Sequence, residues 1–405
     1  MRESIEVGTP AFRRTALALA AAGFSTFAVL YAVQPLLPVF AEEFGVSPAQ
    51  SSLSLSLSTG LLAVALLVVS PLSEIWGRKP VMVVSLFASA LLTLVAAMMP
   101  TWEGFLVVRA LAGLAMSGVP AVAMAYLSEE MHGRALGLAM GLLISGNSLG
   151  GMAGRLISGA LTDRYGWRVA MALIGLLALA AAVAFWRSLP ASSRFTPHPL
   201  PWRSVPGTFL HHFRDAGLPW LFAEAFLLMG GFVTLYNYIG FRLSEPPYSL
   251  SQTAIAAIFT IYLAGTAAST SMGHLAGVFG RRRVLWLAIV TALGGVALTT
   301  AENLLVVIAG IVVATMGFFG AHSVASSWVG RRALTDRAQA SSIYLFLYYL
   351  GSSVLGTAGG WFFAHAGWTG VAAFVGALYL AALAAAVRLA LLPPRSEALA
   401  EGEER

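Results

Sequence analysis

Cysteine is absent from the 405 residues, which excludes disulfides and thiolate-held metals. Charge is scarce as well: Asp, Glu, Lys and Arg together make up 10% of the chain, where a soluble domain carries about a quarter. So little charge cannot cover a water-facing surface. In its place 58% of the residues are hydrophobic, and the mean hydropathy is +0.80. No Gly-Lys-Ser/Thr phosphate loop occurs, and the seven histidines and the acids do not group into a nucleophile, base or metal constellation. An enzyme, a resident metal and a cofactor are therefore not expected. A net charge of +6 would suggest nucleic acid in a soluble protein; here it reads as membrane orientation, with no nucleic-acid partner.

What the chain has instead is a series of apolar runs of roughly 20 residues, each able to cross a hydrocarbon core of about 30 Å. They fall near 16–38, 51–73, 80–99, 104–126, 136–160 and 168–188, then near 217–241, 253–275, 282–301, 304–328, 338–363 and 370–392. Connections are short except at 189–216, rich in proline and arginine, which reads as a solvated linker. The spacing predicts a bundle over 1–188, the linker, a second bundle over 217–392 and a tail over 393–405.

Two of the short loops are alike. SPLSEIWGRK (70–79) and GHLAGVFGRR (273–282) each end in a glycine followed by two basic residues, and Gly77 and Gly280 lie 203 positions apart. Such a pair between apolar runs implies a duplicated membrane protein. With the N-terminus placed in the cytoplasm, 19 of the 24 basic residues fall on the inner side. Both ends are thus expected to be cytoplasmic, in a polytopic protein of the plasma (inner) membrane. A cleavable leader over 1–28 competes, but its apolar run is too long, and its loss would break the six-plus-six count.

These features resemble the major facilitator superfamily of secondary transporters, whose loop between spans 2 and 3 has the form Gly-x-Leu-Ala-Asp-Arg-x-Gly-Arg-Arg/Lys. Leu72, Gly77, Arg78 and Lys79 match it, with Ser70 for the first glycine and Glu74 for the aspartate. The second copy keeps Gly273, Leu275, Ala276, Gly280, Arg281 and Arg282 but has Gly277 at the acid's place. Arg109 with Gly113, the run SGNSLGGMAGR (145–155) and DRYGWR (163–168) extend the resemblance. YAVQPLLP (31–38) is similar to the branch containing drug and sugar exporters. The resemblance implies an all-α membrane protein of twelve transmembrane helices in two pseudo-symmetric six-helix bundles. It further implies alternating access, transport of a small-molecule substrate, and gating by Glu74, Gly77, Arg78, Lys79, Arg134, Gly280, Arg281, Arg282 and Arg337. The superfamily's antiporter motif has a proline where Gly151 stands, which weakens the inference to antiport. Each chain is expected to contain a complete pathway and to work as a monomer.

Charges inside the membrane are costly and mark function by default. Arg109 and Arg155 have Ile308 and Gly360 as counterparts in the second half, so the shared scaffold requires neither. At roughly 8 Å from the outer face they are able to share one level of a substrate site, or to snorkel to headgroups. Glu224 is the one carboxylate well inside a predicted span. It reads either as a proton carrier for proton-coupled efflux or as a complement to the dipole of span 7. Tyr31, Gln34, Asn147, Tyr236 and Asn237, with Tyr262, His322, Tyr344 and Tyr348, are candidate pathway residues. The two unpaired arginines favour a neutral or anionic solute, and uniport or proton symport is the alternative to antiport.

Overall fold

The computed structural model describes residues 5–192, 195, 210–333 and 337–392, leaving out the side chains of 133, 134 and 338. The predicted linker therefore lies largely outside the described residues, as do the tail and the side chain of Arg134. Nine helices among the described residues are long and apolar enough to cross a bilayer. Two of them are double, and the helix Arg281–Leu298, which begins on three arginines, completes twelve crossings.

Span 1 is broken into a helix Pro10–Tyr31, a 3-10 turn Gln34–Leu36 and a short helix Leu37–Phe44. Pro35 and Pro38 carry no amide hydrogen, so a continuous hydrogen-bond ladder cannot form across them. Span 2, Pro48–Trp76, opens on a capping box between Ser47 and Gln50. Span 3 is Arg78–Met98, and span 4 is Trp102–Met116 continued by Gly118–Glu130. The helix Gly133–Ser188 turns back at Gly166, φ 78°, into span 5 (133–165) and span 6 (167–188). Span 7 is Leu218–Ser244. Span 8 runs as Gln252–Ala257, Ile258–Ile261 and Tyr262–Phe279. Span 9 is Arg281–Leu298 and span 10 Leu304–Arg332. The helix Arg337–Leu391 bends at Gly367 into span 11 (337–365) and span 12 (368–391). Most helices overrun the predicted apolar runs by several residues, because backbone hydrogen bonding continues into the interface where the side chains turn polar.

Alternating span direction gives the bundle a terminal side, which holds Pro10, the 76–78 and 279–281 turns and Leu391, and a far side opposite. At the two like-sequenced turns Gly77 and Gly280 take φ 91° and 86°, a region closed to most side chains. Within the first half, spans 1 and 5 cross in near backbone contact. A Cβ on Gly146, Gly150 or Gly154 would stand within 2.4 Å of the carbonyl oxygens of Ala20, Phe24 and Ala28. Gly351 of span 11 meets Phe226 of span 7 in the same way. On the far side of the first half Phe40, Phe44, Trp102, Phe105 and Trp167 pack ring to ring. Glu43 accepts from the Trp167 indole and pairs with Arg168.

Contacts between the halves gather from mid-membrane to the far side. Ser353 Oγ donates to the Ser56 carbonyl at 2.7 Å, and Gly360 abuts Ala49, joining span 11 to span 2. Asp163 at the end of span 5 accepts from the Gln252 and Thr253 amides at 3.1 and 2.8 Å and from Thr253 Oγ1 at 2.5 Å. A carboxylate from one half thus caps the first turn of a helix in the other. On the terminal side the bonds among the described residues run within each half. Arg78 meets Glu74 and Glu129, each at 2.6 Å, and Lys79 donates to the Leu189 carbonyl. Arg282 reaches the Ala390 carbonyl at 3.0 Å, and Asp215 pairs with Arg332 at 2.5 Å.

Candidate functional site

The break in span 1 sets up the centre of the molecule. A helix that stops at Tyr31 leaves its last carbonyls without intrahelical partners. Arg109, fully buried in span 4, takes two of them: Nη1 donates to Val29 O at 3.3 Å and Nη2 to Leu30 O at 3.0 Å. Its Nε donates to Ser54 O in span 2 at 3.0 Å. Ser158 Oγ donates to the Ala32 carbonyl at 2.7 Å. The guanidinium charge sits at the negative end of the first helix, where it is favourable. Arg109 is consequently not among the residues that line the central cavity with Arg155. Its donors were drawn instead to the carbonyls that the break exposes.

Arg155 is also buried, but it stands where the halves meet. Nε donates to Gln34 Oε1 at 2.8 Å, and Nη1 folds back to the Gly151 carbonyl at 2.8 Å. The guanidinium lies 4.0 Å from the Tyr31 ring centroid and 4.8 Å from those of Phe259 and Tyr262, so rings from both halves face it. Gln34 in turn donates to Asn237 Oδ1 at 2.8 Å, across a separation of 203 residues. Asn237 Nδ2 is buried without a partner. At Gly151, where the antiporter motif has proline, a Cβ would come 3.3 Å from Arg155 Nη1 and 3.6 Å from the Tyr31 ring.

Below this junction, toward the terminal side, lies a cavity of about 390 Å³. The first half lines it with Phe27, Tyr31, Asn147, Gly151 and Arg155, the second with Phe232, Tyr262, Phe318, His322 and Tyr348. Thr266 and Thr270, one turn apart on span 8, line it and are exposed. Asn147 Oδ1 is buried beside Gly23 without a hydrogen-bond partner. Tyr236 stands behind the wall, its hydroxyl 2.8 Å from Thr315 Oγ1. Glu224 is fully buried off the cavity, and neither carboxyl oxygen has a hydrogen-bond partner. His322 Nδ1 lies 2.9 Å from the Tyr344 hydroxyl.

Sequence reasoning left several contacts out. Glu129, the second carboxylate on Arg78, is 51 residues away with no motif to flag it. Asp163 stood in a quoted motif without a role, and Phe259 was hidden in an apolar run. Arg337 donates to the Ala333 carbonyl at 3.1 Å, while Arg281 stays half-buried beside the second turn.

A twelve-helix bundle with a central cavity shared by two like halves defines a secondary transporter. The Major Facilitator Superfamily profile matches residues 19–245 and 245–405, and the chain belongs to that family. It is 51% identical to the inner membrane transport protein YnfM of Escherichia coli (strain K12), over 95% of this chain and 92% of that protein. It is 47% identical to the uncharacterized MFS-type transporter YybF of Bacillus subtilis (strain 168), over 94% of each. Among solved structures, nucleoside transporter NupG superposes with a TM-score of 0.75 at 13% identity, covering 94% of this chain and 100% of that one. A bacterial homologue of the human lysosomal transporter Spinster, in an inward-facing and unoccupied conformation, gives 0.73 at 14% identity, covering 95% and 96%. The chain is thus a transporter of small molecules and not an enzyme.

Proposed function

We propose that this transporter exports small neutral or anionic organic molecules in exchange for protons, with both termini in the cytoplasm. The solute binds under Arg155, Gln34 and Asn237 among the rings of Tyr31 and Tyr262, and Glu224 carries the proton. With that orientation the far side is extracellular and the cavity faces inward. The halves, 1–188 and 217–392, then rock about the central junction to expose it outward.

The observation that carries this reading is Arg155 on the cavity wall, held by Gln34, which is bonded in turn to Asn237. Arg155 is bonded to an amide and a carbonyl and faced by aromatic rings, so its charge remains available to a solute's acceptor groups. Asn237 Nδ2, buried without a partner off the cavity wall, leaves the junction one spare donor. Dye-like cations suit such a site poorly, so within a drug and sugar exporter branch the reading falls on uncharged or acidic members. Arg109 acts at one remove, holding the broken first span in the shape that presents Tyr31 and Gln34. The fully buried, unpaired carboxyl of Glu224 supports proton coupling. The glycine at 151 favours the alternative, uniport or proton symport of the same class of solute.

The test is proton movement in sealed proteoliposomes challenged with cationic, neutral and anionic compounds, using wild type and Glu224→Gln. Counter-directed proton flux driven by a neutral or anionic compound, and lost in the variant, is the expected result. Co-directed flux supports symport. Uptake without proton movement in either protein rejects coupling altogether.

A further inference from the structure

Among the described residues, the wall of the central cavity holds one Asp, Glu, Lys or Arg side chain, that of Arg155. No carboxylate among the described residues forms an ion pair with it. Its surroundings are neutral: the Gln34 amide on Nε, the Gly151 carbonyl on Nη1, and the rings of Tyr31, Phe259 and Tyr262. Nη2 makes no hydrogen bond among the described residues. Nor do the hydroxyls of Tyr31, Tyr262 and Tyr348, which line the same cavity. A carboxylate accepts through two oxygens and takes guanidinium and hydroxyl donors together. With a carboxylate bound, the site carries no net charge, whereas a neutral solute leaves the guanidinium uncompensated inside the membrane.

The remainder of the wall is largely aromatic. Phe318 of span 10 lies parallel to Phe232 of span 7 at 3.9 Å and 9°, and to His322 at 5.9 Å and 10°. Tyr262 meets Phe232 at 5.5 Å, and Tyr348 meets His322 at 4.7 Å. A flat solute ring joins such a set by offset stacking or edge-to-face contact, which a puckered saturated ring does not reproduce. The volume of about 390 Å³ is near the lower end of ligand pockets, about 300–1,000 Å³. It suits one ring with a short substituent.

We propose that the solute is a single-ring aromatic carboxylic acid, taken up by the site as its anion. The carboxylate accepts from Arg155 Nη2 and the tyrosine hydroxyls, and the ring packs among Phe232, Tyr262 and Phe318. This rests on the reading of the cavity as a site for neutral or anionic solutes and narrows it to one class. Tyr262 and Tyr348 thereby act as binding residues through their hydroxyls as well as their rings.

The experiment is isothermal titration of the purified full chain in detergent at pH 7 with four probes: benzoate, cyclohexanecarboxylate, benzamide and benzyltrimethylammonium. Benzoate is expected to bind at least tenfold more tightly than each of the others. The wild-type series decides the class without any variant. Arg155→Gln is expected to bring benzoate to the affinity of benzamide, and Tyr262→Phe to weaken benzoate at least threefold, each checked by melting temperature for folding. Cyclohexanecarboxylate binding as tightly as benzoate overturns the aromatic class, while the site stays one for anions. Benzamide binding as tightly as benzoate overturns the carboxylate and leaves the broader reading of a neutral or anionic solute standing. Binding of benzyltrimethylammonium alone overturns both readings. Binding of none of the four overturns the single-ring class. A folded Arg155→Gln protein that keeps the tenfold preference for benzoate overturns Arg155 as the carboxylate's partner.

Discussion

Arg109 and Arg155 are both buried in the first half, yet their donors meet different kinds of acceptor. Arg109 is committed to three backbone carbonyls on two helices. A buried acceptor left unpaired costs about 1–3 kcal/mol. Arg109→Met is therefore expected to lower the melting temperature in detergent by several degrees or to prevent folding. Arg155→Lys is expected to melt within a few degrees of wild type and to lose solute flux, read by thermal unfolding beside a flux assay. Similar losses of stability in both would show that Arg155 too is a scaffold residue. Both arginines were legible in the sequence as charges within apolar runs. Their division of labour was not, because it depends on which carbonyls the break in span 1 frees and where they lie in space. Asp215, outside the membrane, gives a second prediction at this scale. Burial works to raise its carboxyl, but the bonds from Arg332 and from the Gly217 and Leu218 amides outweigh it and hold the group below its ordinary value. A lowered folded value means that this anchor contributes fully above the unfolded pKa of about 3.9 and is lost as pH falls through the folded one. Melting temperature is thus expected to drop on acidification in that window, and the drop to shrink in Asp215→Asn.

Helix against helix, the crossing of spans 1 and 5 sets the tightest limit. A Cβ on Gly150 would stand 2.1 Å from the Phe24 carbonyl oxygen, which belongs to a backbone that cannot swing aside. Gly150→Val must push the helices apart, at about 1–3 kcal/mol for overpacking, and with them the Tyr31 and Arg155 that face the cavity. Lowered thermal stability together with lost flux is expected; unchanged flux would mean that the cavity tolerates a wider crossing. The helices themselves were readable from the sequence, since each apolar run is about one bilayer long and the paired Gly-Arg turns mark the same corner twice. The break in span 1 was present there only as two prolines, and the shape it produces depends on Arg109 and Ser158, more than 70 residues away.

Taken whole, the chain is joined near its centre and on its far side and leaves a cavity toward the terminal side. The duplicated halves were legible because both copies of the loop sit in register. The captured arrangement was not, since Asp163 with Thr253 and Ser56 with Ser353 are distant in sequence and belong to one conformation. Because the chain has no cysteine, a single Thr270→Cys supplies a unique probe. In oriented vesicles it is expected to react with a membrane-impermeant maleimide from the side bearing the termini. Adding Asp163→Asn, which weakens the far-side cap, is expected to slow that labelling as the population shifts; labelling unaffected by the second change would mean that the cap does not bias the equilibrium. The contact between Gln34 and Asn237 carries a consequence of another kind. Each half supplies one side of this junction, deep among apolar side chains. A carboxylate or a guanidinium on either side would bring net charge into that setting, whereas an amide holds donor and acceptor on one group and can satisfy another amide while uncharged. The two halves are thus tied here by groups that carry no charge of their own.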